Sequence, residues 1–230
     1  MAPSTAPDRT SLTADAWAAA ALDAISHRGL EGVAVEPLAR ELGVTKGSFY
    51  WHFSSREALL QRALALWEQQ ETDDVLRQVA HETDPRRRIE SLIGRINASK
   101  RASRIYQALS SAAHDPVIAA CVRRVSERRM RFLLDCYRAL GLSDHDARLW
   151  ARMTYSVYLG TLQIRRDLPD EWPAADEPAF ADYVQFLMGA LIPPESADDG
   201  APERDNHNGG PGAEEPAPTA NRAARAAPDS

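Results

Sequence analysis

The chain has 230 residues, 44% of them hydrophobic, and a formal net charge of −6 at pH 7, so it can bury a substantial core. The acidic total excludes a generally basic coat for nucleic acid but not a local basic site. Cys121 and Cys136 fit neither a CxxC pair nor a metal-ligand spacing, and we interpret them as buried thiols in a reducing cytosol. The first ten residues lack the apolar core of a secretory signal, and no apolar run is long enough to span a membrane. We therefore expect a soluble, cytoplasmic protein.

Both ends of the chain have the composition of disordered segments. Residues 1–10 are small, polar and proline-containing, which predicts a disordered arm. Residues 195–230 contain no Leu, Ile, Val, Met or aromatic residue, and such a segment buries too little apolar surface to offset its ordering entropy. We predict a disordered tail there, which leaves an ordered region at about 11–194.

The ordered region reads as helical throughout, with no period-2 strand pattern. Thr13 can cap a first helix that ends at Gly29, and Thr45 can cap a third helix that runs to about Phe53. Between them, residues 35–42 form a short helix with Pro37 in its first turn. Ser54 and Glu57 fit a capping box at the start of the next helix.

The later helices are separated by clear breaks. Asp-Pro and Glu-Pro pairs suit the start of a helix, and a serine can cap one. The predicted helices are 85–100, 104–113, 116–140, 143–166 and 178–192. The sequence thus predicts an all-α fold of about nine helices.

The stretch VTKGSFYWHF, residues 44–53, carries the strongest functional signal. A helix, a glycine-containing turn and a second short helix form the helix-turn-helix arrangement. Phe49 and Phe53 lie four residues apart on one face, which we assign to the core. The opposite face is rich in hydrogen-bond donors that suit phosphates and base edges. Its predicted DNA-facing residues are Thr45, Lys46, Gly47, Ser48, Tyr50, Trp51 and His52. The competing interpretation is that Tyr50 and Trp51 simply cover a neighbouring helix.

Residues 33–60, VAVEPLARELGVTKGSFYWHFSSREALL, resemble the N-terminal helix-turn-helix of TetR-type transcriptional regulators. The resemblance covers roughly residues 13–66, and beyond them it extends only to an all-helical domain of the expected length. It implies that the seven DNA-facing residues keep that role. One departure is Ala34, where such sequences usually place a Ser or Thr cap, and its absence costs the second helix about 1 kcal/mol.

The resemblance also implies a domain plan and partners. Residues 11–57 would form the helix-turn-helix DNA-binding domain, and residues 58–194 an effector-binding and dimerisation domain. The protein would be a homodimer, paired through helices at about 143–166 and 178–192. It would bind a palindromic double-stranded DNA operator, as a repressor, and leave it when an unknown small molecule binds.

The effector pocket is harder to place from the sequence. Candidate residues, each more often plain core, are Trp67, Ile96, Tyr106, Leu109, His114, Met130, Trp150 and Tyr155, with His114 and Tyr106 as polar groups. Residues 86–131 hold twelve Lys or Arg against three Asp or Glu. They would either attract an anionic effector or, as we favour, form solvated faces that pair with acidic stretches such as 68–84.

Two other functions are weighed against a ligand-responsive regulator. An enzyme is disfavoured because HExxH, GxSxG, a phosphate-binding glycine loop and zinc-type Cys/His spacing are all missing from the sequence, and we expect neither a cofactor nor a metal. A non-inducible DNA-binding protein would share the helix-turn-helix but have a filled C-terminal interior. A cavity of several hundred Å3 would favour the regulator, since ligand pockets are typically about 300–1,000 Å3.

Overall fold

The computed structural model describes residues 12–171, 173 and 177–194, although the side chains of residues 96–98 are outside this description. The predicted arm at 1–10 and the predicted tail at 195–230 lie outside the described residues. The described part is all-α and contains no strand, which confirms the predicted fold class. None of its helices is long and apolar enough to cross a membrane.

Ten α-helical segments make up the described chain, and their order matches the sequence pattern. They are α1 Ala14–Arg28, α2 Val35–Glu41, α3 Lys46–His52, α4 Arg56–Glu68, α5 Asp74–Ala80, α6 Pro85–Ala98, α7 Lys100–Ser111, α8 Pro116–Ala139, α9 Asp144–Asp167 and α10 Pro178–Leu191. One π-helical turn, Gln69–Asp73, joins α4 to α5 without a break. With α4 and α5 counted as one continuous helix, the described residues form nine helices, as predicted.

Four predicted helix starts, at Thr13, Asp84, Asp115 and Ser143, are confirmed by hydrogen bonds that satisfy free N–H groups of the first turn. The Thr13 hydroxyl accepts from the backbone N–H of Ala16 at 3.2 Å. The Asp115 carboxylate accepts from the N–H of Val117 at 2.8 Å, and Pro116 occupies the first position of α8. Glycines end several of these helices, and Gly29 and Gly43 adopt the positive φ values that a side chain disfavours, 68° and 67°.

Two predicted capping interactions are wrong. Ser55, not Ser54, caps α4, and its hydroxyl accepts from the N–H of Ala58 at 3.2 Å. The chain leaves α3 in an extended conformation at Phe53, so the next helix begins one residue later than the Ser54–Glu57 spacing suggested. Thr45 does occupy the cap position of α3, but its side chain makes no capping hydrogen bond.

The break between α6 and α7 is a single residue. The sequence predicted helices at 85–100 and 104–113, whereas α7 begins at Lys100. Ser99 leaves the helical conformation, with φ −107° and ψ 103°, and its hydroxyl accepts from the N–H of Ala102 at 3.1 Å. A serine can start a helix without a proline or glycine before it, and Ser99 does so here.

Two apolar clusters form the interior. The first surrounds Trp17 and Phe49 and extends from α1, α3 and α4 to Leu109 of α7 and Ile118 of α8. The second surrounds Tyr137 and includes residues of α6, α8, α9 and α10. Cys121 and Cys136 are free and buried, as predicted, and burial raises the pKa of each thiol to about 11. The helix-turn-helix therefore rests on helices of the C-terminal half.

Candidate DNA-binding surface and interior cavity

The turn between α2 and α3 is closed by backbone hydrogen bonds. The N–H of Val44 donates to the carbonyl of Ala39 at 2.9 Å, and the N–H of Gly43 donates to that of Arg40 at 3.2 Å. Gly43 supplies the left-handed conformation that this tight turn requires. The turn fixes the direction in which α3 leaves α2.

Phe49 anchors α3 in the core. It is only 1% exposed, and its ring meets that of Trp17 edge-on at 5.4 Å. Phe53 is also buried, with its ring 5.6 Å from that of Phe49. The predicted inward placement of both phenylalanines is therefore confirmed, and it leaves the other face of this short helix towards solvent.

The outer face of α3 carries two strongly exposed rings. Tyr50 is 59% exposed and Trp51 is 89% exposed, so neither ring is covered by a neighbouring helix. Thr45, Lys46 and Gly47 are exposed too, whereas Ser48 and His52 are half-buried. A Cβ atom added at Gly47 would meet only the Thr45 hydroxyl, at 3.6 Å, so the surface there is open to a close approach. The sequence-predicted set thus lies together on one surface, which we call the α3 outer face.

Lys46 has an intramolecular partner that the sequence did not indicate. Its Nζ lies 2.7 Å from Oε1 of Glu36, which is on α2. This hydrogen bond and the charge of Lys46 lower the pKa of the Glu36 carboxyl, and the same contact raises the pKa of Lys46. Both side chains are well exposed, so the pair is weak and open to exchange with another anion.

Two arginines hold the connection between α1 and α2 in place. Arg56 donates to the backbone carbonyls of Val33 at 2.6 Å and Leu30 at 2.8 Å. Arg28 pairs with Glu41 at 2.9 Å. Ala34 starts α2 without a side-chain cap, as predicted. Arg56 therefore has a structural role in the helix-turn-helix.

A cavity lies among α5, α6, α7, α8 and α9, beside the π-helical turn. Its volume is about 90 Å3. Its walls include apolar side chains of Val75, Leu76, Leu92 and Leu133. This volume is well below the several hundred Å3 that we expected of a regulator pocket.

Arg129, on α8, is the cavity's central charged group. Its guanidinium lies over three aromatic rings, 5.9 Å from Trp67, 5.8 Å from Tyr106 and 5.6 Å from Tyr158. It donates to the Thr72 hydroxyl at 3.1 Å, the Tyr158 hydroxyl at 3.0 Å and the Glu71 carbonyl at 2.8 Å. Arg129 therefore holds the π-helical turn against α8.

The comparisons with known proteins agree with this geometry. Residues 18–82 match the family model for "Bacterial regulatory proteins, tetR family". Residues 18–82, which contain the helix-turn-helix, therefore form a tetR-family domain. A curated relative in Pseudomonas putida, the uncharacterized HTH-type transcriptional regulator TtgW, is 39% identical over 46 residues, which are 20% of this chain and 34% of the relative. The match thus spans about a third of that relative's length.

Solved structures extend the fold similarity to nearly the whole ordered region. A TetR regulator from Legionella pneumophila has a TM-score of 0.63 at 16% identity, covering 77% of this chain and 95% of the other. AibR, solved in complex with isovaleryl coenzyme A and operator DNA, has a TM-score of 0.57 at 20% identity, covering 79% of this chain and 98% of the other. At these identities the likeness supports the fold alone.

The eight effector candidates do not form one site in the structure. Tyr155 lines the cavity, and the rings of Trp67 and Tyr106 lie behind Arg129. Leu109 is fully buried in the first apolar cluster, and His114 is exposed between α7 and α8. Met130 and Trp150 pack against the second apolar cluster, and the Ile96 side chain lies outside the described residues.

Sequence reasoning missed the residues that define the cavity's polar side. Arg129 was one of twelve basic residues in a charged segment, and nothing local distinguished it. Thr72 and Tyr158 gave no signal, because the π-helical turn that presents Thr72 has no sequence signature that we could use.

Two other arginines of α8 pair with acidic residues at the end of α4 and in the π-helical turn. Glu68, which is buried, lies 2.8 Å from Arg124 and 2.7 Å from Arg128. Arg128 also pairs with Asp73. The interpretation that the basic segment pairs with the acidic stretch 68–84 is therefore confirmed for these residues.

Large apolar side chains are exposed on α9 and α10. Phe186 is 71% exposed, and Leu149, Met153 and Ile164 are exposed as well. Scattered exposed apolar residues are ordinary, but a set on the last two long helices is typical of an interface. Among the described residues, no group of three or more His, Cys, Asp or Glu side chains is placed to hold a metal ion.

Proposed function

We propose that the protein is a ligand-responsive transcriptional repressor that acts in the cytoplasm, binds a palindromic operator as a homodimer and releases it when a small molecule binds. The observation that carries this proposal is the α3 outer face. A tryptophan that is 89% exposed beside a tyrosine that is 59% exposed is costly to leave in water unless a partner covers it. In a helix-turn-helix, that partner is the major groove.

Each residue of this face has a role that its chemistry suits. Lys46 can bind a phosphate, and so can the Thr45 hydroxyl, because it makes no capping hydrogen bond. Trp51 and His52 can donate N–H groups to phosphate oxygens. Tyr50 can pack on a thymine methyl group, and Ser48 can reach a base edge. Gly47 lets the DNA come close, because no side chain stands there.

Dimerisation would join two such faces. The exposed apolar residues of α9 and α10 support pairing through the helices predicted at about 143–166 and 178–192. Two reading helices then address half-sites about 34–36 Å apart, or a close variant. In this plan residues 11–57 bind DNA, and residues 58–194 bind the effector and the second subunit.

The presence of a cavity supports effector binding, but its small volume supports the alternative of a non-inducible DNA-binding protein. AibR has the same fold and binds both a coenzyme A thioester and operator DNA. The cavity of about 90 Å3, however, is too small for a ligand of that size unless side chains move. This small volume favours the alternative of a non-inducible DNA-binding protein more than any other observation does.

The test is selection of DNA from a random pool by the purified full-length protein, with its mass in solution measured in parallel. We expect a dimer and an enriched palindrome, and we expect Trp51→Ala to abolish the enrichment. A protein that stays monomeric at micromolar concentration and enriches no palindrome would overturn the proposal. A dimer that holds its operator in the presence of every ligand its cavity binds would favour the non-inducible alternative.

A further inference from the structure

The polar side of the cavity indicates the chemical class of the ligand. Arg129 carries a full positive charge at the cavity wall, and it donates hydrogen bonds to neutral oxygens: the Glu71 backbone carbonyl and the Thr72 and Tyr158 hydroxyls. Among the described residues, no carboxylate oxygen lies within 4.0 Å of its guanidinium nitrogens. The neighbouring arginines of α8 differ, because Arg124 and Arg128 both have carboxylate partners.

The guanidinium also has hydrogen-bonding capacity left. It has five N–H donors, of which the three bonds to Glu71, Thr72 and Tyr158 use three. The three aromatic rings stabilise the charge but accept no conventional hydrogen bond. Two donors therefore remain for an acceptor that enters the cavity, and charge-assisted bonds to a carboxylate are the strongest that a guanidinium makes.

The remaining walls limit the rest of the ligand. Val75, Leu76, Leu92 and Leu133 suit an aliphatic chain. The cavity volume of about 90 Å3 is below the roughly 300–1,000 Å3 typical of ligand pockets and favours a small ligand. Two further charged residues, Glu71 and Arg95, also line the cavity.

We infer that the cavity binds a small carboxylate with a short aliphatic chain, whose carboxylate group is held by Arg129. This inference rests on the proposed function, because it names the effector class of that regulator. The carboxylate would draw Arg129 towards itself and weaken its bonds to the π-helical turn between α4 and α5. Since α4 packs directly on α1 of the helix-turn-helix, the ligand would act on the reading helices through that turn.

The experiment uses butyrate as the probe and butyramide as its neutral match, both titrated into the full-length protein by calorimetry. We expect butyrate to bind and butyramide to bind at least about tenfold more weakly, as loss of a charge-assisted hydrogen bond implies. Arg129→Gln should weaken butyrate binding by at least about the same factor. Arg131→Gln, which removes an exposed arginine two residues along α8, should leave binding unchanged.

Arg129→Lys covers the case in which Arg129→Gln does not fold. It keeps the positive charge but loses the fork of parallel donors, so we expect intermediate affinity for butyrate. No binding of butyrate by the folded wild-type protein, or equal binding of butyrate and butyramide, would overturn the inference. Equal affinity of the wild-type and Arg129→Lys proteins would overturn the role given to the guanidinium fork.

The same protein samples separate this inference from the proposed function. Operator selection without butyrate binding would refute the ligand class and leave the repressor intact. Butyrate binding without any enriched operator would refute the repressor and leave a carboxylate site.

Discussion

The guanidinium of Arg101, on α7, lies 2.7 Å from the carboxylate of Asp23, on α1, and 3.9 Å from that of Glu71, in the π-helical turn. Asp23 belongs to the helix on which the helix-turn-helix rests, and Glu71 lines the cavity. Arg101 is thus the charged group that links the cavity wall to the N-terminal helices. A change in the π-helical turn would reach α1 by this route.

Arg101→Gln is expected to weaken the coupling between the cavity and the DNA-binding helices. Butyrate should bind the variant as well as the wild type, but it should lower operator affinity by a smaller factor. An exposed ion pair contributes roughly 0.2–1 kcal/mol, so the change should be about fivefold at most. The measurement is operator affinity with and without saturating butyrate. Arg104→Gln, an exposed change on the same helix, is the control, and an identical response of the two variants would contradict the linking role.

Lys46→Ala should weaken binding to all DNA sequences alike and lower the slope of log affinity against log salt by about one, because Lys46 is expected to bind a phosphate. Glu36→Gln should have the opposite effect and raise affinity at low salt by up to about fivefold, since it releases Lys46 from an exposed pair. Glu41→Gln removes a carboxylate that pairs with Arg28 instead and serves as the control. A sequence-selective loss in Lys46→Ala would mean that Lys46 reads a base.

Phe49 and Trp51 are two residues apart and should respond oppositely to truncation. Phe49→Ala removes a ring from the core and should lower the free energy of unfolding by about 3–5 kcal/mol. Trp51→Ala changes an exposed side chain, so stability should stay within about 0.5 kcal/mol while operator affinity falls sharply. Urea denaturation and DNA titration measure the two effects. A large stability loss in Trp51→Ala would show that its ring packs on its own chain.

Glu68 should make stability depend on pH in the acidic range. The hydrogen bond from Arg124 lowers the pKa of the Glu68 carboxyl below its ordinary value of 4.5, against the opposing effect of burial. The unfolded chain therefore takes up the proton first, so the stabilisation is complete above about pH 4.5 and is lost as pH falls through the folded pKa. Glu68→Gln should lower the free energy of unfolding at pH 7 by about 1–3 kcal/mol.

The measurement is urea denaturation of the wild type and Glu68→Gln at pH 7 and at several lower values. The two proteins should converge in stability as pH falls below the ordinary value. Glu127→Gln, a change at an exposed carboxylate of α8, should keep the wild-type profile. A Glu68→Gln protein that loses as much stability on acidification as the wild type would contradict the assignment to Glu68.

Several local predictions failed where the sequence offered equivalent alternatives. Ser54 and Ser55 are adjacent and chemically identical, and only the extended backbone at Phe53 decides that Ser55 caps α4. The sequence does not indicate a helix start at Ser99, because a break of one residue leaves the helical pattern of apolar residues uninterrupted. The π-helical turn has no sequence signature that we could use, so Glu71 and Thr72 could not be assigned to a cavity wall.

The sequence alone determined most of the helices, the glycine turn at Gly43 and the division of α3 into a buried and an exposed face. These depend on spacing along a single chain segment, which the residue order fixes. Tertiary structure decided that Lys46 meets Glu36, that Arg129 lies among three rings, and that one of eight pocket candidates, Tyr155, lines the cavity. Those relationships join residues on different helices, and their distances depend on how the helices pack, which no local pattern specifies.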